Sequence, residues 1–382
     1  MQNLPNQQVR LYLWIGIAGI LAVGFAPLFL TDLYNEGRVP LSFIGFGFSL
    51  ELLGVGLGTV VCSRVLGEQA SARRVAATLI ALAVVNAASI FADELLQLLV
   101  RFVAGLIGGV LVGATISAIV RSAAPTRNSA IYLTGQTVVQ FGIALLLTGL
   151  ISPRFGSNGS FVVIALFALG ALPFTLHLRP VALSQSAEQD ADFAPLQWHH
   201  WTALLVIGLV MASLSSVVSY SEVHLAALEL PQELVDLAIP IVLIGQILGG
   251  CVAMVLSGRV SHSWLIPIMI LGICASMIAL GITTKAPQLL LLYAAVGFGW
   301  MFLGPFFVGW LLALDPTYSV ARLFAAAQLL GIAVGPLAVG AVDGSVKLTT
   351  SLAGAATLAA IVFFFLVSLR AQQQTTPEHS RM

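Results

Sequence analysis

The run from Leu95 to Val120 carries a single ionisable side chain, Arg101, among residues that otherwise suit a hydrocarbon solvent. It is long enough for one helical crossing of a bilayer, which takes about 20 residues. At the bilayer centre a guanidinium costs about 2.5–3.5 kcal/mol on insertion scales. It therefore needs a partner, a water-filled cavity or a route to the interface. Arg101, Gly105 and Gly108 recur at i, i+4 and i+7 and share one helical face, with Gly113 a little beyond. Small residues on a face let another helix or a cavity come close. The charge is thus expected to point into a bundle of helices and away from lipid.

The rest of the chain fits the same solvent. Of its 382 residues, 59% are hydrophobic and 8% charged, where a soluble domain carries about 25% charged residues. Mean hydropathy is +1.01. An integral membrane protein is expected, and the lipid bilayer is its first partner. Net charge is zero and no basic block occurs, so nucleic acid is not a partner. Cys62, Cys251 and Cys274 sit in or beside apolar runs, with the spacing of neither a disulfide framework nor a zinc site. They read as small buried hydrophobes. Arg10 precedes the first apolar run, and no small-residue cleavage site follows it, so that run reads as a retained span.

Twelve spans are expected, at about 11–31, 41–62, 75–91, 95–120, 130–151, 160–178, 200–223, 234–257, 265–283, 288–313, 320–341 and 349–369. Residues 1–178 would form one six-helix bundle and 200–370 a second. The polar stretch 179–199 would join them on the cytoplasmic side, and 371–382 would be a cytoplasmic tail. Of the sixteen Lys and Arg residues, one is Arg101. With the N-terminus inside, eleven of the others fall on inside segments: Arg10, Arg64, Arg73, Arg74, Arg121, Arg127, Arg179, Arg259, Arg322, Arg370 and Arg381. Four fall outside: Arg38, Arg154, Lys285 and Lys347. That bias places both termini in the cytoplasm of a cell-membrane protein.

The two bundles echo one another. Ser49–Val65 aligns with Ile244–Val260, sharing Leu-Gly and Arg-Val at the same offsets. LLVRFVAGLIGG, Leu98–Gly109, aligns with LLLYAAVGFGWM, Leu290–Met301, which sets Tyr293 opposite Arg101. Gln136 then falls opposite Gln328, and Glu51 opposite Gln246. The expected fold class is an all-α membrane protein with twelve transmembrane helices in two pseudo-symmetric bundles. A site would lie near the midplane between them.

On these residues the chain resembles the major facilitator superfamily of secondary transporters. Its fourth span resembles that family's arginine motif, in which Arg is followed at the fourth position by Gly, here Arg101 and Gly105. Ala104 stands where the motif usually has Gln. The family's loop between spans two and three is degraded here: Arg64 holds the first Arg position, but Ser63 replaces the Asp and Thr59 the Gly. In the second bundle Arg259 is kept and Gly258 stands at the Asp position. The resemblance implies that Arg64 and Arg259 belong to an intracellular gate with altered charge pairing. The Gly-Pro pair of the family's exporters is absent from span five and occurs on span eleven, at Gly335 and Pro336.

Several side chains could carry chemistry. Glu51, near the middle of span two, is either a proton-carrying acid coupled to Arg101 or half of a structural ion pair. Glu222, near the outer end of span seven, is a second candidate for proton coupling. Gln136 and Gln140 share a face of span five, and with Gln328 could orient a polar solute or bond helix to helix. Span ten sets Tyr293, Gly297, Trp300, Gly304 and Phe307 on one stripe, of which Tyr293 and Trp300 could face a solute. No histidine pair has metal spacing and no phosphate loop is present, so no metal, cofactor or enzymatic activity is expected. The resemblance implies a monomeric transporter that moves a small polar or anionic organic solute by alternating access, coupled to protons. Two alternatives stay open: export of lipophilic compounds on the same fold, and a membrane sensor without transport.

Overall fold

An apolar run inside lipid must satisfy its backbone polar groups within itself, which leaves the helix as the structure open to a single run. The computed structural model describes residues 4–67, 69–123, 125–182, 196–256, 259–315, 320, 323–342 and 346–375. Residues 183–195, the tail beyond 375, Gly258, Arg322, His379 and Arg381 lie outside the described residues. The first part of the chain forms α1 (Asn6–Ile20), α2 (Ala26–Asn35), α3 (Ser42–Leu66), the two-residue strand β1 (Gln69–Ala70), α4 (Ala72–Ala88), α5 (Glu94–Val120), α6 (Pro125–Leu146), α7 (Ser152–Gly170), α8 (Leu172–Thr175) and β2 (Val181–Ala182). The second part forms α9 (Trp198–Ser219), α10 (Ser221–Ala227), α11 (Gln232–Val235), α12 (Ala238–Leu256), α13 (His262–Ile282), α14 (Ala286–Leu314), α15 (Phe324–Gly340) and α16 (Val346–Thr375).

Among the described residues nine helices are long and apolar enough to cross a membrane, or ten when α1 and α2, bent by 43°, count as one span. The sequence pattern predicts twelve. The expected fifth and sixth spans run together in one apolar stretch, Arg127–Thr175, and the expected eleventh is represented by the shorter Ala326–Gly340. Within the long stretch the chain turns at Gly156, whose φ of +57° is open to glycine at little cost. The expected first span is broken between Ile20 and Ala26 by a short 3-10 turn. Tyr220 ends the expected seventh span early, and the chain continues as α10.

Glycine decides the closest crossings. Where α3 crosses α5, a Cβ on Gly54 would overlap the Phe102 carbonyl, on Gly58 that of Leu106, on Gly105 that of Glu51 and on Gly109 that of Val55. The crossing of α12 and α14 repeats the device, with Gly245 against Ala294 O, Gly249 against Phe298 O and Gly297 against Val242 O. Gly54 and Gly249, and Gly105 and Gly297, stand opposite one another in the internal alignment, so the repeat is visible as packing. Such crossings substitute backbone proximity for the hydrophobic drive that lipid removes. Gly105→Val should cost upwards of about 3 kcal/mol, because carbonyls cannot move aside as side-chain ends do. Gly142→Val should cost little, since no atom lies near its Cβ position. Thermal melts of the two variants in one detergent check this; equal melts would remove the crossing from the stability argument.

Call the end of the molecule that carries residue 4 and the 67–71 turn proximal, and the opposite end distal. At the proximal end Leu4 N donates to Arg121 O, Gln8 bonds His177 O and Arg179 N, and β1 pairs antiparallel with β2. These bonds fasten the start of the central connection to the N-terminal helices. At the distal end Arg38 plays the same part. It contacts Asp93 Oδ1 at 2.6 Å and donates to Ser157, Asn158 and the carbonyls of Ser89, Ile90 and Ala92. The apolar core is divided unequally. One large cluster draws on both the N-terminal and the C-terminal helices, from Phe25, Phe48 and Leu52 to Val206, Leu243 and Phe364. Two smaller clusters, around Tyr12, Leu66 and Leu79 and around Val9 and Tyr132, take every member from before residue 179.

Candidate functional site

Arg101 is 0% exposed and sits where α2, α3, α4, α5 and α7 converge. Its Nη1 lies 3.6 Å from Glu51 Oε1. Its Nη2 donates to Asn86 Oδ1 at 3.0 Å and, at short range, to Ser89 Oγ. The guanidinium carbon lies 5.4 Å from the ring centre of Phe29 and 5.1 Å from that of Phe161. The local fold explains the meeting. Gly105, one turn after Arg101 on α5, has no side chain, so the backbone of α3 at Glu51 comes in against it. Asn86 is held in turn, its amide donating to Leu82 O at 2.9 Å. Glu51 Oε2 and Arg101 Nε and Nη1 make no hydrogen bond. The pair is thus held by charge at a distance beyond ordinary hydrogen bonding. In such dry surroundings desolvation offsets much of the attraction.

The C-terminal helices carry a neutral counterpart at the repeated crossing. Tyr293, opposite Arg101 in the alignment, is fully buried, and its hydroxyl lies 2.8 Å from His224 Nδ1. Val217, Tyr220, Thr349 and Thr350 complete a cavity of about 10 Å³ beside that pair, room for one water. Gln246, opposite Glu51, is buried on α12. An ion pair in one part of the molecule is therefore matched by a phenol and an imidazole in the other.

The two groups of helices meet in a seam at the distal end. Gly45 N donates to Tyr220 Oη at 3.0 Å, and Ser49 Oγ donates to Ala333 O at 2.5 Å. The Cβ position of Gly45 lies against Pro336 O and Tyr220 Oη, and that of Gly340 against Ser42 O and Phe46. Glu222 is buried at this end, with Asp32 and Asp236 as its electrostatic neighbours.

The predicted residues therefore fall into separate places. Arg101 and Glu51 meet; Tyr293 joins His224; Glu222 lies at the seam. Gln140 is buried, and its amide donates to Ile20 O and Leu21 O at 3.2 and 3.4 Å, where the first span breaks. Gln136, Trp300 and Gln328 are half-buried, while Arg64 and Arg259 are exposed. Sequence reasoning missed Asn86, Ser89, Phe29 and Phe161 around Arg101. The signal for Asn86 was available: it is an amide inside the apolar run of the third span. The phenylalanines resemble every other in the chain.

No family model matches the chain, and no curated protein matches it in sequence. Solved structures do match in shape. A bacterial homolog of the human lysosomal transporter Spinster, inward-facing and unoccupied, superposes with a TM-score of 0.71 at 14% identity, covering 96% of each chain. The same homolog, inward-facing and occupied, gives 0.63 at 14% identity, over 96% of this chain and 97% of that one. A mutant of the nucleoside transporter NupG gives 0.65 at 13% identity, over 97% of this chain and all of that one. The chain has the fold of these transporters, and at the level of fold the resemblance to the major facilitator superfamily is borne out.

Proposed function

We propose that this chain is a secondary transporter that moves a small polar or anionic organic solute across a cell membrane by alternating access, coupled to protons. The observation that carries this reading is the uneven core. The two groups of helices share one apolar core that includes the distal seam, while among the described residues the proximal clusters of the N-terminal group include nothing from the C-terminal group. A body joined at one end and divided at the other suits two bundles of six helices that rock about a central site. With the N-terminus inside, as the charge bias predicts, the divided end faces the cytoplasm.

In this reading Arg101 is the fixed cation and Glu51 the acid that gains and loses a proton beside it. A pair without a hydrogen bond between its members separates at less cost than a bidentate one. Gln136 and Gln328, half-buried at matching positions of α6 and α15, would orient the solute with the half-buried Trp300, while Tyr293, sealed against His224, would hold its own helices together. Arg64 and Arg259 would serve the cytoplasmic gate. The test is uptake into proteoliposomes from a solute panel, under an imposed pH gradient. In Glu51→Gln, exchange of solute should persist while accumulation driven by the gradient is lost. Unchanged dependence on the gradient would remove Glu51 from coupling. Folded protein that moves none of the panel and dissipates no gradient would favour a sensor, and efflux of hydrophobic dyes alone would favour a lipophilic exporter.

A further inference from the structure

α13 and α16 touch at a few points and stand apart beside them. The Cβ position of Gly281, near the distal end of α13, lies 3.1 Å from Thr350 Oγ1 of α16, and Cys274 Sγ reaches Gly354 O at 4.0 Å. Beside these contacts the helices leave a groove of about 490 Å³, within the range of about 300–1,000 Å³ that ligand sites take. Gly354 marks its floor: the residue is buried, yet no atom lies within 4 Å of its Cβ position. Gly281 and Ala355 keep the lining low, and Ile278, Ile282 and Leu358, 56%, 79% and 51% exposed, make it aliphatic. Both helices are long and apolar enough to cross a membrane, so these exposed side chains face lipid. Among the described residues no aromatic ring lines the groove. Its walls suit a flexible hydrocarbon chain better than a planar solute, which would stack on rings.

An independent observation marks the distal end of the groove. Lys285 and Lys347 are the only lysines of the chain. Lys285, exposed, stands three residues beyond the end of α13, and Lys347 is the second residue of α16. Thr350 and Ser351, which line the groove at the same end, bring two hydroxyls. α13, α14 and α16 contain no aspartate or glutamate; Asp343 lies outside the described residues. The acids Glu222, Glu229, Glu233 and Asp236 sit on α10, on α11 or in the turns beside them. A cation and hydroxyls at the mouth of an aliphatic groove match a phospholipid, with its phosphate at the interface and its chain in the hydrocarbon. A helix from a second copy would call for small residues throughout its contact, where Ile278, Ile282 and Leu358 are large.

We propose that the groove between α13 and α16 is a site for one anionic phospholipid of the distal leaflet. An acyl chain lies against Gly281, Gly354 and Ala355, and the phosphate meets Lys285. In the orientation that the charge bias predicts, this is the outer leaflet. The lipid joins α13 to α16 where their own side chains leave a gap. The site is separate from the Arg101–Glu51 pair and does not depend on the transport reading.

The experiment is native mass spectrometry of the full-length chain, stripped of lipid in detergent and titrated with phosphatidylglycerol or phosphatidylcholine of equal chain length. The first phosphatidylglycerol should bind about five-fold tighter than the first phosphatidylcholine, the effect of one lysine near an anionic lipid. It should also remain as a single adduct when collisional activation strips the others. Lys285→Gln should still retain one lipid but lose the preference. Gly354→Phe fills the open floor and should lose the retained lipid of either headgroup, while its melting temperature without lipid stays that of the parent chain. Ala355→Phe, at an exposed position of the same lining, carries the test where Gly354→Phe does not fold. Equal binding of the two lipids by the parent chain, a preference that survives Lys285→Gln, or a lipid retained in both phenylalanine variants overturns the proposal. So does a parent chain at twice its mass that Gly354→Phe returns to one, which assigns the face to a second copy.

Discussion

Arg101→Ala should abolish recovery of folded protein, whereas the double replacement Arg101→Met with Glu51→Leu should restore much of it. The single change leaves Glu51 sealed and uncompensated, at a cost of about 3–5 kcal/mol. It also removes two cation–π contacts, of about 0.5–2 kcal/mol each, and opens a cavity. Against a total stability of about 5–15 kcal/mol that is most of what a fold has. The double change takes both charges out of a dry site and keeps the volume, which for other buried pairs is neutral or stabilising. Melting temperatures of the two single variants and the double variant, read as a cycle, isolate the coupling. Equal losses in single and double variants would show that Arg101 stabilises through its packing and its bonds to Asn86 and Ser89. Transport should stay lost in the double variant even where the fold is recovered.

Gly45→Leu should drive the molecule out of the closed distal conformation. The Cβ of any residue at 45 would meet the Pro336 carbonyl and the Tyr220 hydroxyl, and a longer side chain has no way round a backbone oxygen. The seam would also lose its bond from Gly45 N to Tyr220. A cysteine at Ala333, across the seam from Ser49, should then react with a membrane-impermeant thiol reagent at least about ten-fold faster, the response to a bias of about 1.4 kcal/mol. The melting temperature should fall less than in Gly105→Val, because the crossing of α3 and α5 is left intact. Unchanged labelling would mean that the seam is not where the distal end opens.

The sequence reveals charge and periodicity better than it reveals contacts between distant helices. Arg101 needed a partner because of where it stood, and Glu51 was the acid at a similar depth two spans earlier, so their meeting was legible. The glycine offsets that relate Gly54 to Gly249 and Gly105 to Gly297 were legible too, because close crossings need small residues whatever surrounds them. The aromatic cage was not. Phe29 and Phe161 come to Arg101 from α2 and α7, and nothing local distinguishes them from lipid-facing phenylalanines. Gln140 read as a solute ligand because an amide in an apolar run suggests a cavity. The break in the first span, which takes up that amide, follows from tertiary packing around Gly24. The turn at Gly156 falls between the expected fifth and sixth spans, beside Pro153 and Asn158, and was legible; the early end of the seventh span at Tyr220, made without a proline, was not.

The backbone-to-backbone crossings also set an order of rupture. At Gly54, Gly58, Gly105 and Gly109 α3 and α5 meet backbone to backbone, as α12 and α14 do at Gly245, Gly249 and Gly297, and a facing carbonyl cannot repack as a side chain can. Against α15, α3 is held chiefly near its distal end. Heat, force or altered lateral pressure should therefore part the molecule first along that plane, while each crossed pair keeps its shape. The piece that moves is then a rigid block, and bilayer thickness or tension can bias its position without loosening its interior.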